Sequence, residues 1–339
     1  MKKLHRKSAF IAAVILLILA LGVIAAVTIA VGPVPVPLKS VIAILKDRLL
    51  GTTTAGAYSQ SQFHIIWNIR MPRILMAIVA GSGLAVSGAV MQAIVRNPIA
   101  DPYVLGVSSG ASTGAAIALL LPSALLFHGG VSVTAMAYSR ESRSINPTSL
   151  ILAGTAVAAI LGAVTNLLVF LARSKDSISS IYYWQMGSLA SSQWADLPIP
   201  LLIVALGEAV TLLYTKKMNL LMIGEEDACA LGLNIRAVRL VLMGCSSLMV
   251  AAIVSDTGII GFVGLMVPHI VRLFVGSDNT RVVPLSALAG AIFLILADTV
   301  ARTVFGSTEL PIGIVTAFTG APFFLYLMGK KKYTFGGKN

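Results

Sequence analysis

The chain has 339 residues, of which 57% are hydrophobic and only 11% charged, whereas about a quarter of a soluble domain's residues are charged. Its 13 acidic side chains cannot keep the surface of a soluble protein this size wet, which excludes a soluble enzyme and indicates a polytopic membrane protein. The net charge of +12 therefore reports topology, because basic residues collect in inner loops, and no nucleic-acid partner is expected.

Lys2, Lys3, Arg6 and Lys7 precede an uncharged run from Ser8 to Leu38. Its apolar part, Ala9 to Val31, is longer than a signal-peptide core, so it reads as a retained first span. Further apolar runs fall near 74–95, 106–121, 150–171, 197–213, 240–254, 259–274, 282–300 and 311–327. Several are shorter than the roughly 20 residues a perpendicular helix needs, so they must tilt or lie inside a bundle. Between Asp101 and Arg140 no residue is charged, and Pro122, Gly129 and Gly130 favour two spans there. The expected fold is all-α, with about ten transmembrane helices and both termini inside. That arrangement puts 17 of the 25 lysines and arginines on the inner side, which supports the orientation. Small residues at four-residue spacing, as in Gly110/Gly114, Gly154/Ala158/Gly162 and Ser286/Gly290, predict close helix packing.

The chain carries no P-loop, no H-E-x-x-H and no nucleophile elbow, so no catalytic residue and no ATP hydrolysis by this chain are expected. The four histidines are scattered, and no metal site is expected. His269 after Pro268 reads as a hydrogen-bonded structural residue, and Cys229 and Cys245 as packing residues. The stretch 218–234 looks like two short helices broken at Gly232, with Glu225, Glu226 and Asp227 favouring the N-terminus of the first. Ala228, Leu231 and Leu233 are more apolar than a free loop needs, which suits a docking surface. Glu208 and Asp298 lie within apolar spans, where a carboxylate suggests function. They leave open a rival reading, a stand-alone proton- or cation-coupled secondary transporter.

From about residue 60 to 328 the chain resembles the permease subunits of type II ATP-binding-cassette importers for ferric siderophores, haem and cobalamin. The residues that carry this are Arg70-Met71-Pro72-Arg73, Gly88-Ala89-Val90-Met91-Gln92, Asn97-Pro98-Ile99-Ala100-Asp101-Pro102 and Leu105-Gly106-Val107-Ser108-Ser109-Gly110. Further on come Trp184-Gln185-Met186-Gly187-Ser188, Gly224-Glu225 to Gly232-Leu233, Gly261-Phe262-Val263-Gly264-Leu265 with Pro268-His269, Ala297-Asp298, and Glu309-Leu310-Pro311-Ile312-Gly313 to Gly320-Ala321-Pro322.

The resemblance implies a single permease domain over 1–339 that contains a cytoplasmic coupling segment at 214–239. It implies two ATPase subunits that carry ATP and Mg, a second permease copy or paralogue, and a periplasmic or lipid-anchored substrate-binding protein, in a bacterial cytoplasmic membrane. The pathway would lie between the two permeases, with a ferric siderophore as the leading cargo and haem and cobalamin behind it. Gly224, Glu225, Ala228, Leu231 and Gly232 are implied as ATPase-coupling residues, and Arg70, Arg73 and Arg302 as outward arginines that dock the binding protein. Asn97 and Ile99, with Thr148 and Ser149, are implied at a cytoplasmic gate. The stretch from Leu121 to Pro147 looks shorter than the family pattern, so an incomplete fourth helix is expected.

Overall fold

The computed structural model describes residues 7–52, 56–120, 147–172, 174–306 and 308–329. Among these residues there are helices and connecting turns but no strand. The helices are α1 (Lys7–Ala30), α2 (Leu38–Leu50), α3 (Gln60–Phe63), α4 (Met71–Val95), α5 (Val107–Leu120), α6 (Pro147–Leu171) and α7 (Lys175–Gln185). They continue as α8 (Pro198–Ile223), α9 (Glu225–Ala230), α10 (Ile235–Thr257), α11 (Val263–Val275), α12 (Asn279–Thr303) and α13 (Ile312–Gly329). Six segments are long and apolar enough to cross a membrane, and α11 and α13 are shorter apolar helices. Expected spans thus appear as helices wherever the chain is described, while the stretch at 121–146, with the expected fourth helix, lies outside the described residues.

The second span differs from its predicted limits. Hydropathy places its start near Ile74, yet the helix is continuous from Gln60 to Val95, about 54 Å at 1.5 Å per residue. Charged Arg70 and Arg73 lower the hydropathy without breaking the helix, because both guanidinium groups find partners inside the protein. Residues His64–Arg70 widen into a π-helix just before Pro72. Proline lacks an N–H and crowds the carbonyl four residues back, and a wider turn relieves that crowding.

α4 is the hub of the bundle and packs against α8, α10, α11 and α12. Small residues let it do so. A methyl group on Gly88 would overlap the backbone of Gly264 in α11, and one on Gly81 would overlap Gly290 in α12. In lipid, where apolar side chains gain little by leaving one apolar medium for another, such close backbone contact is what holds helices together. The bundle has two polar ends. One carries residues 96–106, 224–234 and 276–279, the other 31–37, 304–306 and 308–311.

Candidate functional site

At the first of these ends α8 runs on to Ile223, keeping Met218 and Leu221 buried. It stops at Gly224, whose φ of 149° few other residues adopt. A short helix follows, with Glu225, Glu226 and Asp227 in its first turn. The predicted pair of short helices is therefore one, broken at Gly224 as well as at Gly232, because residues 218–223 keep their apolar face against the bundle. Gly232, at φ 80°, donates its N–H to the Cys229 carbonyl at 2.9 Å, and Leu233 donates to Ala228 at 3.0 Å. This paired ending closes a helix wherever a left-handed residue is available. Asn234 then caps α10, its Oδ1 accepting from Ala237 N–H at 3.0 Å. Ala228 is buried, whereas the apolar Leu231 is 65% exposed. Cys229 is exposed, not packed as predicted, because it lies on the outer side of α9.

Glu225 fastens this hairpin to two other helices. Its Oε1 accepts from Nη2 of Arg239 in α10 at 2.8 Å and from Nη2 of Arg96 at 3.5 Å. Arg239 is buried and Arg96 exposed. Arg96 ends α4 at φ 54°, in the left-handed region, and the loop that follows holds the predicted gate residues. There Asn97 Oδ1 accepts from Ile99 N–H at 3.1 Å, and Ile99 is 40% exposed. Asp101 caps a 3-10 turn, Pro102–Leu105, by accepting from Tyr103 N–H at 2.8 Å. Burial pushes the Asp101 carboxyl up to about 6, even though the Tyr103 N–H favours its charged form. The Tyr103 hydroxyl donates to the Ile260 carbonyl at 3.0 Å, so the loop dips into the bundle. His269 lies within hydrogen-bonding reach of the Pro98 carbonyl and meets the Phe323 ring edge-on. Thr148 and Ser149 occupy the first turn of α6.

Beneath this surface lies a polar ladder that sequence reasoning missed. Arg272 donates to Asn279 Oδ1 at 2.9 Å and to Gln92 Oε1 at 3.3 Å. Asn219 Oδ1 accepts from the Asn279 backbone N–H at 2.8 Å, and Asn219 Nδ2 donates to Asp278 Oδ1 at 2.7 Å. Burial alone would raise the Asp278 carboxyl, but hydrogen bonds from Asn219 and Thr280 and the nearby Arg281 hold it below its usual range. The ladder ties α4, α8, α11 and α12 together. Only the cap pattern Asp278-Asn279-Thr280 was visible in the sequence as a signal.

At the other end the three arginines expected on the outer side, to dock the binding protein, are buried. Arg70 and Arg73 are 5% exposed and Arg302 2%. Arg70 donates to the carbonyls of Ile29 at 2.7 Å and Ala30 at 3.0 Å, at the end of α1. Arg73 pairs with Asp298 at 2.8 Å and with Glu309 at 2.7 Å, and Arg302 approaches Asp298 at 3.5 Å while donating to the Thr28 carbonyl. The physical reason is that carbonyls at a helix C-terminus and a buried carboxylate offer these guanidiniums hydrogen-bond and ion-pair partners inside the molecule. Of this cluster, Glu309 reaches the surface, its side chain 36% exposed.

Between the two ends an open groove of about 600 Å³ runs along α13. Met186, Ile259, Phe262, Ile314, Ala317 and Phe318 are among its lining residues. Phe262 holds φ 68°, crowded against Gly320. The Gly-rich stretches around residues 261–264 and 313–320 were its sequence signal. Glu208 sits midway along α8 with Oε1 buried and unpartnered among the described residues. No three His, Cys, Asp or Glu side chains converge among the described residues.

A sequence profile of the FecCD transport family matches residues 12–330. A cobalamin import system permease protein, BtuC, of Halobacterium salinarum is 46% identical over 273 residues, covering 78% of this chain and 73% of that protein. The hemin transport system permease protein HmuU of Yersinia pestis is 36% identical over 309 residues, covering 84% and 92%. A solved structure of a metal-chelate type ABC transporter in an inward-facing conformation superposes with a TM-score of 0.80 at 31% identity, covering 94% of this chain and 98% of that one.

Proposed function

The chain belongs to the FecCD transport family, and from that membership we propose how it works as the membrane-spanning permease of an ATP-binding-cassette importer. The hairpin α9 is the dock for a cytoplasmic ATPase subunit, which holds the ATP and Mg. The observation that carries this is an apolar tip, Leu231, held 65% exposed on a short helix that two glycines delimit and Glu225 clamps to the bundle. Closure of an ATPase can move a bundle only through such a rigid contact. Two copies of the chain, or this chain and a paralogue, enclose the pathway, and the apolar groove beside α13 is part of its wall.

The cargo is a bulky metal chelate. The two relatives, a cobalamin and a hemin permease, favour that class, and a ferric siderophore belongs to it. The end bearing Arg70, Arg73 and Arg302 receives the substrate-binding protein, and the buried arginines act from beneath it by holding α1, α4 and α12 in register. The gate comprises Asn97 and Ile99, with Thr148 and Ser149. The protein lies in the cytoplasmic membrane of a bacterium with both termini inside.

The test is co-expression with the ATPase subunit. The wild-type chain is expected to co-purify with it, and Glu225→Arg plus Leu231→Asp to lose the ATPase while remaining folded in the membrane. Undiminished co-purification of the double variant would sink the docking assignment. Uptake of cobalamin, hemin and a ferric siderophore into proteoliposomes then identifies the cargo.

A further inference from the structure

We propose that Arg96 is a positioning residue that ties the docking hairpin to the gate, so that movement of α9 reaches the pathway through the loop 97–105. The proposal rests on α9 being the ATPase dock. Its first support is the sharing of one carboxylate oxygen. Glu225 Oε1 is held at 2.8 Å by Arg239, whose side chain is 3% exposed, and at 3.5 Å by Arg96, whose side chain is 39% exposed. The buried partner fixes Glu225 to α10, and the exposed partner is free to follow or release it.

The backbone supplies a second, independent support. Arg96 occupies the position just past a helix end where glycine is the usual residue, because the left-handed conformation disfavours a Cβ. Asn97 donates there to the Gln92 carbonyl at 3.2 Å. Arginine in that place relinquishes the better backbone fit and gains a side chain that reaches α9. Among the described residues only Arg96 and Phe262 combine a side chain with positive φ, and such outliers collect at switch regions.

Those two residues stand at the ends of one connection. From Arg96 the loop passes Asn97 and Ile99, is pinned by Asp101 to Tyr103, and through the Tyr103 hydroxyl meets Ile260 at 3.0 Å. Ile259 and Phe262, on either side of that contact, line the groove. A pull on Arg96 therefore has a continuous path to the groove wall. An exposed ion pair contributes little to stability, so loss of the Arg96 side chain is expected to leave the fold standing.

Arg96→Gly is the informative variant, since it improves the backbone fit while removing the side chain. Ile99→Cys serves as reporter in a chain with Cys229→Ser and Cys245→Ser, assembled with its ATPase subunit. The probe is maleimide, with the labelling rate measured with and without ATP plus orthovanadate. In the parent, trapping is expected to change labelling about fivefold or more, as for an ordinary coupling free energy. In Arg96→Gly the change should vanish while assembly and ATP hydrolysis persist, and Arg96→Lys should restore it. A full response in Arg96→Gly overturns the proposal. So does loss of assembly in both Arg96→Gly and Arg96→Gln, which would make the residue a structural brace. A parent that binds the ATPase yet shows no response also overturns it. Failure of the docking assignment is read separately, as an ATPase that stays bound to Leu231→Asp.

Discussion

Asp101 shows how much a single side chain decides in the gate loop. Its carboxylate organises the turn that carries Tyr103 to Ile260, yet burial raises its ionisation to about 6, against about 3.9 in an unfolded chain. The folded loop then binds a proton more tightly than the unfolded one. The resulting stabilisation is complete below the unfolded value and is lost as pH rises through the folded one. Protection factors for the amides of 97–106, from hydrogen exchange, are therefore expected to fall between about pH 4 and pH 6. In Asp101→Asn, which keeps an oxygen to cap Tyr103, they should stay level across that range. A wild-type loop with level protection would place the carboxyl in water. Asp101 was legible in the sequence as part of a loop motif, but its surroundings were not, since the turn it caps is held by a bond from Tyr103 to Ile260, 157 positions away.

At the scale of the helix, α4 depends on glycine where it crosses its neighbours. Gly88 meets Gly264 and Gly81 meets Gly290 backbone to backbone, so any larger residue must push two helices apart. Gly88→Val is expected to cost about 1–3 kcal/mol, the range for overpacking, read as a lowered melting temperature of the detergent-solubilised protein. Gly22, with nothing near it, should accept alanine without loss. The helices themselves were legible because apolar runs and the glycine at 232 mark their limits locally, whereas the break at Gly224 was not read. The start of α4 was not, since hydropathy reads Arg70 and Arg73 as an edge, whereas carbonyls of α1 and the carboxylates of Asp298 and Glu309 make them interior. The two carboxylates are 225 and 236 positions from Arg73 and the carbonyls 41 and 40 from Arg70, so no local pattern announces them. The groove along α13 was hidden for the same reason, as its walls come from three separate segments.

Across the whole molecule the two intramembrane carboxylates have different surroundings, and that separates the importer from a self-sufficient secondary transporter. Asp298 is engaged by Arg73 at 2.8 Å and approached by Arg302 at 3.5 Å, all three nearly inaccessible. A carboxylate held between two guanidiniums that also bind α1 and Glu309 is a clasp joining α1, α4 and α12, and releasing it for each transported ion would loosen that end of the bundle. Removing one partner from such a buried pair costs about 3–5 kcal/mol, because the remaining charge is left uncompensated. Arg73→Ala is thus expected to lower membrane assembly and thermal stability sharply. Among the described residues no ion pair engages Glu208, which sits beside Ser82 in the middle of α8. Glu208→Gln keeps its shape and hydrogen-bonding capacity, so uptake should persist within about twofold, a change of less than 1 kcal/mol, and should require the ATPase and survive an uncoupler. Uptake that Glu208→Gln abolishes with assembly intact, or that an uncoupler stops while ATP is plentiful, would move the driving force from the ATPase to this carboxyl.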